Sequence, residues 1–351
     1  MQKIDRLLGP LNPNTVAAST APDPIKIIVF TATGDQGRSV CEKLVEDGGF
    51  EVMGVTRNVD GKAAKALSAR GVNMVRGDLD DPESYKQFLQ GMDGAFVNAD
   101  FFSTYFANGQ DSVNAQEVEV RQIKAVIDAC KAAGVGHVVF SALDGYEEEE
   151  RKVPHFESKA QTVKYLKETY EGHAEHPDRP HGLHHHLHWT NIYTCTYFSD
   201  LIKFHQLNPD PSSTTGEEWI LGLPIPDDTK VAGFAVEQLG LWVKKAFLDH
   251  KHWRGKDMQV CAEYMTPLEM AEILSEQTGK KVRPLGLSHD AFHSEKHKKN
   301  LGDALWKNYN ASVAGYFERD IEASRKVCPE QWDFKGWALQ SKELAALFNS
   351  H

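Results

Sequence analysis

Two sets of residues in this 351-residue chain have the types and spacing for chemistry. The first is the turn Thr31-x-x-Gly34-x-x-Gly37, which follows an apolar run and opens a helix near Gln36. Glycines let backbone approach a pyrophosphate closely, and a helix beginning there aims free N–H groups and its positive dipole end at the phosphates. Thr31, Thr33, Gly34, Asp35, Gln36 and Gly37 are therefore candidate dinucleotide ligands, although the spacing departs from the usual G-x-G-x-x-G. A plain strand-to-helix connection is the alternative for the same turn. The second set is His155 and Lys159. Four residues apart on a helix they share one face, and the lysine's charge disfavours a neighbouring imidazolium. A neutral histidine is a poor acid toward a developing alkoxide, so hydride transfer to a quinone or an activated alkene suits this pair best.

These residues need a sheet edge to hold them. Residues 25–30 are a β-branched apolar run of the kind buried on both faces of a parallel sheet. Residues 51–56 are a second strand, and Arg57 follows it where an NAD site would usually place an acid. An arginine there can hold a 2′-phosphate, which favours NADP(H), with NAD(H) the weaker alternative. The pattern continues with a helix at 61–70, a strand at 72–75, a helix starting at Pro82 and a strand at 95–98. Asn98 ends that strand at the carboxyl edge, where open α/β sheets bind ligands. An aromatic stretch, Phe101 to Phe106, reads as a loop that covers a ligand, packs on the next helix or meets a partner. A long amphipathic helix (114–133), a strand (136–140) closing in Ser141, a helix from 154 to about 170 and a strand near 189–194 complete the first part.

From Tyr197 onward the periodicity is mainly helical, with helices expected at 236–248, 267–277, 288–298, 301–317 and 342–348. Short strands are expected at 219–221 and 280–284, and a loop at 208–216. The fold expected is α/β, a Rossmann-type doubly wound parallel sheet with a smaller, mainly helical C-terminal subdomain. Residues 1–24 read as a flexible leader, 25–195 as the dinucleotide-binding domain and 196–351 as the smaller part, with some chain returning to the sheet.

Composition bounds the function. Hydrophobic residues are 41% and charged residues 25%, enough for a core and against general disorder. A formal charge of −11 without a local basic patch argues against direct nucleic-acid or anionic-membrane binding. Cys41, Cys130, Cys195, Cys261 and Cys328 are widely spaced, as in a reduced protein of the cytoplasm or nucleus. Seven of the 16 histidines fall between His173 and His188, but no cysteine or carboxylate joins them at site-like spacing, so no metal site is assigned.

Several stretches in this order resemble the NmrA-like family, atypical members of the short-chain dehydrogenase/reductase superfamily. They are Thr31 to Gly37, Val55-Thr-Arg57, Gly77-Asp-Leu-Asp-Asp81, Phe96-Val-Asn98, Val138-Val-Phe-Ser141 and Val153-Pro-His155-Phe-Glu-Ser-Lys159. The resemblance implies that Gly34, Gln36 and Gly37 hold the pyrophosphate, that Arg57 selects NADP(H), and that Asp78 and Leu79 line the adenine pocket. Thr31 departs from it, because most relatives have glycine there. Typical members of the superfamily use a serine after the fifth strand and a Tyr-x-x-x-Lys pair. Ser141 and Lys159 stand in those places, with His155 in place of the tyrosine. The resemblance implies a redox-state sensor that regulates a protein partner with little or no turnover, or a reductase of quinones, enones or similar small molecules. Lys159→Ala is expected to weaken cofactor binding with little loss of fold.

Overall fold

Alternate residues of the first strand, β1 (Ile25–Val29), feed two different cores: Ile27 and Val29 enter one, Ile28 and the following Phe30 the other. All four are fully buried, as expected for a strand covered by helices on both faces. The computed structural model describes residues 23–170, 187–214 and 217–350. The remaining strands are β2 (Phe50–Thr56), β3 (Asn73–Arg76), β4 (Gly94–Val97), β5 (His137–Ala142), β6 (His188–Tyr193), β7 (Thr196–Tyr197), β8 (Leu207–Pro209), β9 (Glu218–Leu221), β10 (Val231–Phe234), β11 (Lys256–Gln259), β12 (Glu263–Met265) and β13 (Lys281–Pro284).

Seven strands form one parallel sheet in the order β11-β6-β5-β4-β1-β2-β3. The chain builds outward from β1 to β3, then crosses to the other side of β1 for β4. That reversal opens a crevice at the carboxyl ends of β1 and β4, the usual ligand position in such sheets.

The helices are α1 (Asp35–Asp47), α2 (Lys62–Ala69), α3 (Glu83–Lys86), α4 (Phe101–Ala107), α5 (Ser112–Ala133), α6 (Pro154–Tyr170), α7 (Asp200–Lys203), α8 (Leu239–Leu248), α9 (His250–Trp253), α10 (Pro267–Thr278), α11 (His289–Phe292), α12 (Glu295–Leu301), α13 (Asp303–Val313), α14 (Ile321–Val327), α15 (Phe334–Gln340) and α16 (Lys342–Asn349). Helices α1 and α8 cover one face of the sheet, and α5 and α6 the other.

The doubly wound parallel sheet and a helical C-terminal portion are present, with differences in detail, among them the expected helix at 288–298, which is split into α11 and α12 where Ser294 caps the second by accepting from His297 N–H. Phe101 to Phe106 is helical, not a loop: Asp100 caps α4 by accepting from Ser103 N–H at 3.1 Å, and Phe101 and Tyr105 turn inward one helical turn apart. The later chain also carries two three-stranded sheets, β12-β10-β7 and β13-β9-β8, and β8 occupies the start of the expected 208–216 loop. β11 returns to the edge of the large sheet, parallel to β6. The expected helix at 301–317 is broken at Gly302, whose φ of +78° suits glycine, and α13 ends at Val313. Residues 1–22 of the leader and histidines 173–186 lie outside the described residues. No described helix is long and apolar enough to cross a membrane.

Candidate functional site

One cavity of about 1240 Å³ runs along the carboxyl edge of the sheet at the β1/β4 crevice, between the α1 turn and helices α4, α7 and α13. Its lining includes Thr31, Thr33, Gly34, Asp35, Gln36, Gly37, Arg57, Asp78, Leu79, Asn98, His155 and Lys159. The structure thus brings twelve of the thirteen expected residues to one space.

Ser141 is the thirteenth and does not line it. Strand β5 continues through Ala142, so Ser141 is a paired strand residue opposite Ile192 and not a residue beyond the strand end. It is 1% exposed and its Oγ has no hydrogen-bond partner among the described residues. Ser141 is thus set back from the cavity that Lys159 and His155 line.

The turn is tight for identifiable reasons. A Cβ on Gly37 would fall 2.3 Å from the Thr31 carbonyl oxygen, so only glycine lets α1 start this close to β1. The residue in left-handed backbone is Thr31, at φ +49°, while Gly34 is extended at φ −78°. Thr31 holds that geometry by donating from Oγ1 to the Phe30 carbonyl at 2.8 Å and accepting from Gly34 N–H at 2.9 Å. No side chain caps α1, which leaves its first N–H groups for an anion. Gln36 is buried with its Oε1 unpartnered, while its Nε2 donates to Tyr197 Oη at 2.5 Å. Arg57 is exposed on the cavity wall with no hydrogen bond or ion pair to a described residue. An uncapped helix start and an unengaged guanidinium fit a phosphate-bearing dinucleotide.

Elsewhere on the cavity wall, in the loop after β3, Asp78 uses its carboxylate to shape that loop, accepting from Asp80 N–H at 3.1 Å. Arg121 pairs with Asp80 at 2.9 Å. Lys159 donates to Asn98 Oδ1 at 2.7 Å and lies 3.3 Å from the buried Glu119 carboxylate on α5. Burial pushes the Glu119 carboxyl up, and Lys159 and the Ser158 hydroxyl bonded to it pull it back down.

His155 sits on the same face of α6 as Lys159, packed among Phe101, Phe102 and Phe156 with ring centroids 4.7 to 5.5 Å away. Burial and then the Lys159 charge hold its imidazole down to about 3, so the ring is neutral at physiological pH. It hydrogen-bonds Asn308, leaving Nδ1 unpartnered. Leu305, Asn308, Tyr309 and Ser312 form one stripe of α13 along the cavity. Tyr309 Oη accepts from Gln206 Nε2 at 2.8 Å.

Asn308, Tyr309, Gln206 and Lys203 were not visible as site residues in the sequence, because they lie 44 to 150 positions from the nearest expected residue, Lys159. Glu119 did carry a signal. It falls on the buried α5 stripe with Ala115 and Ile123, four residues to either side, where a charge demands a partner. Among the described residues no group of three or more His, Cys, Asp or Glu is placed to hold a metal ion.

A doubly wound parallel sheet with its cavity at the switch point and an uncapped, glycine-packed helix start there defines an α/β protein of the dinucleotide-binding type. The family model described as "NmrA-like family" matches residues 24–327, and the chain belongs to that family. It is 25% identical over 261 residues to an NmrA-like family domain-containing protein of Dictyostelium discoideum, covering 73% of this chain and 78% of that one. Among solved structures it is similar to NmrA, a negative transcriptional regulator, in complex with NAD, with TM-score 0.67 and 17% identity over 94% of this chain and 99% of that one. It is also similar to the NADPH-dependent quinone oxidoreductase QOR2 of Escherichia coli, in complex with NADPH, with TM-score 0.62 and 20% identity over 92% of this chain and 100% of that one. At these identities the solved structures speak for the fold.

Proposed function

We propose that this chain binds a nicotinamide dinucleotide, NADP(H) before NAD(H), and acts as a sensor of its redox state with little or no turnover, regulating a protein partner. The observation that carries the sensor reading is the state of the His155–Lys159 pair. Lys159 is held by Asn98 and Glu119, and His155 is neutral, enclosed by aromatic rings and bonded to Asn308. A proton donor tuned by its lysine is what reduction of a simple carbonyl requires, and this pair supplies none. The preference for NADP(H) rests on Arg57, a cation on the cavity wall beyond β2.

Lys159 and Asn98 would hold the nicotinamide ribose, and the α1 turn the pyrophosphate. The dinucleotide, when bound, supplies or accepts a hydride. NmrA is a negative transcriptional regulator with structures in complex with NAD and with NADP, which agrees with a protein that reads a cofactor pool.

The second reading is an NADPH-dependent reductase of quinones, enones or similar carbonyl substrates. The observation favouring it is the aromatic wall of Phe101, Phe102 and Phe156 around His155 in a cavity that also reaches Phe317. A flat, uncharged acceptor fits such a wall. NADPH oxidation by the purified protein against quinones, aldehydes and enones, with binding measured on the same sample, separates the two. Tight binding without turnover supports the sensor. Turnover lost in a fold-preserving double variant, Lys159→Met with Glu119→Gln, supports the reductase.

A further inference from the structure

Asp35 occupies the first helical position of α1, at the point where the uncapped N–H groups face the cavity. A carboxylate there suits the empty helix end but repels a pyrophosphate. Its partner is Lys203 at the end of α7, with Nζ 2.6 Å from Asp35 Oδ2. Of the three other Lys or Arg side chains on the cavity wall among the described residues, Arg57 lies beyond β2, Arg121 pairs with Asp80, and Lys159 is held by Glu119 and Asn98, so none of them is paired to the α1 turn. Lys203 is therefore the cation at the pyrophosphate end.

Its side chain is 54% exposed, and exposed ion pairs hold weakly, so the ammonium is free to change partners. The backbone beneath it is fixed, because Tyr197 on β7 is tied to Gln36 of α1 and donates its N–H to Asp200 at 3.4 Å. Gln36, 6% exposed and bonded to Tyr197, fixes β7 and the start of α7 against the α1 turn.

We infer that Lys203 is a pyrophosphate-binding residue, which exchanges Asp35 for a phosphate oxygen when a dinucleotide enters. This rests on the dinucleotide reading above. The strap it forms reaches from α7 across the α1 turn, so it places a residue from the later chain on the cofactor.

The test is titration calorimetry with NADPH and with adenosine 2′-phosphate, which lacks the pyrophosphate, on wild type, Lys203→Ala, Lys203→Arg and Asp35→Asn. Lys203→Ala is expected to weaken NADPH binding about tenfold, the scale of one charge-assisted contact, and to leave adenosine 2′-phosphate unchanged. Lys203→Arg is expected to restore most of the affinity, and Asp35→Asn to tighten NADPH binding several-fold. Equal NADPH affinity in wild type and Lys203→Ala overturns the inference and leaves the dinucleotide reading standing. An equal loss for adenosine 2′-phosphate overturns it too, because the damage would then be general, and so does weaker NADPH binding by Asp35→Asn. Wild-type protein that binds no dinucleotide overturns both.

Discussion

Glu119 Oε1 lies 3.3 Å from Lys159 Nζ, with side chains only 2% and 9% exposed, so the lysine expected to hold a cofactor is also half of a buried ion pair. Removing one member of such a pair leaves the other charge buried, which costs about 3–5 kcal/mol. Lys159→Ala is thus expected to lose stability as well as binding, a revision of the sequence-based expectation that the fold would be spared. Burial already pushes the Glu119 carboxyl up, so proton uptake by Glu119 will absorb part of the cost. Urea unfolding should show a large loss for Lys159→Ala and a much smaller one for Lys159→Met with Glu119→Gln. Equal stability of wild type and Lys159→Ala would mean that the pair is open to solvent.

Thr31 is a β-branched residue at φ +49°, a conformation that costs L-residues roughly 1–2 kcal/mol and glycine almost nothing. Thr31→Gly loses the Oγ1 bond to the Phe30 carbonyl and gains unfolded-chain entropy, which offset the relief. The terms nearly cancel, so the net change is expected to stay within about 1 kcal/mol of zero, or about 2 °C in melting temperature for a chain of this size. A larger fall in melting point would show that the hydroxyl bond outweighs the strain.

The sheet before residue 170 was legible because β1, β2, β4 and β5 each hold an apolar run, 27–30, 52–55, 95–97 and 138–140, that ends in turn or polar residues. β11 was not, since in Lys-Asp-Met-Gln only Met258 is well buried and pairing to β6, not side-chain pattern, makes the strand. α4 was missed because Phe, Ser, Thr and Tyr have modest helix propensity, and its helix depends on the Asp100 cap and on Phe101 and Tyr105 packing against Ala115 and Ala304. The turn residues and the His155–Lys159 pair were visible because their spacing is local. Lys203, Gln206 and Asn308 reach the cavity only through tertiary folding, and local pattern carries no trace of that.

Two opposed titrations shape stability against pH. Burial holds the His137 and His155 rings down to about 3, against about 6.5 in the unfolded chain. The unfolded state then binds more protons between those values, so stability is full above pH 6.5 and falls as pH drops toward 3. Asp200 runs the other way. Burial pushes it up to about 7, countered by Lys203, so its contribution falls as pH rises from about 4 to 7. Asp200→Asn should match wild type near pH 4 and be more stable above pH 7, as read from urea midpoints across that range. A constant difference at every pH would show that Asp200 stays ionised in the folded protein.

Arg57 offers the sharpest test of cofactor choice, because its guanidinium is exposed on the cavity wall beyond β2, while its neighbour Arg121 is paired with Asp80. A contact from an arginine to a phosphate is worth about 1.5–3 kcal/mol, roughly 10- to 100-fold in affinity. Arg57→Glu should lose that much for NADPH, and should hold or improve NADH affinity, since a carboxylate accepts from the ribose 2′-hydroxyl. The NADPH-to-NADH affinity ratio is the quantity to follow, measured by fluorescence titration of both cofactors. An unchanged ratio would remove the 2′-phosphate from Arg57. Arg57→Lys separates charge from geometry: an ammonium keeps the charge and loses the two-pronged fit, so an intermediate ratio is expected. Lys203→Ala, acting on the pyrophosphate common to both cofactors, should leave the same ratio untouched while lowering both affinities.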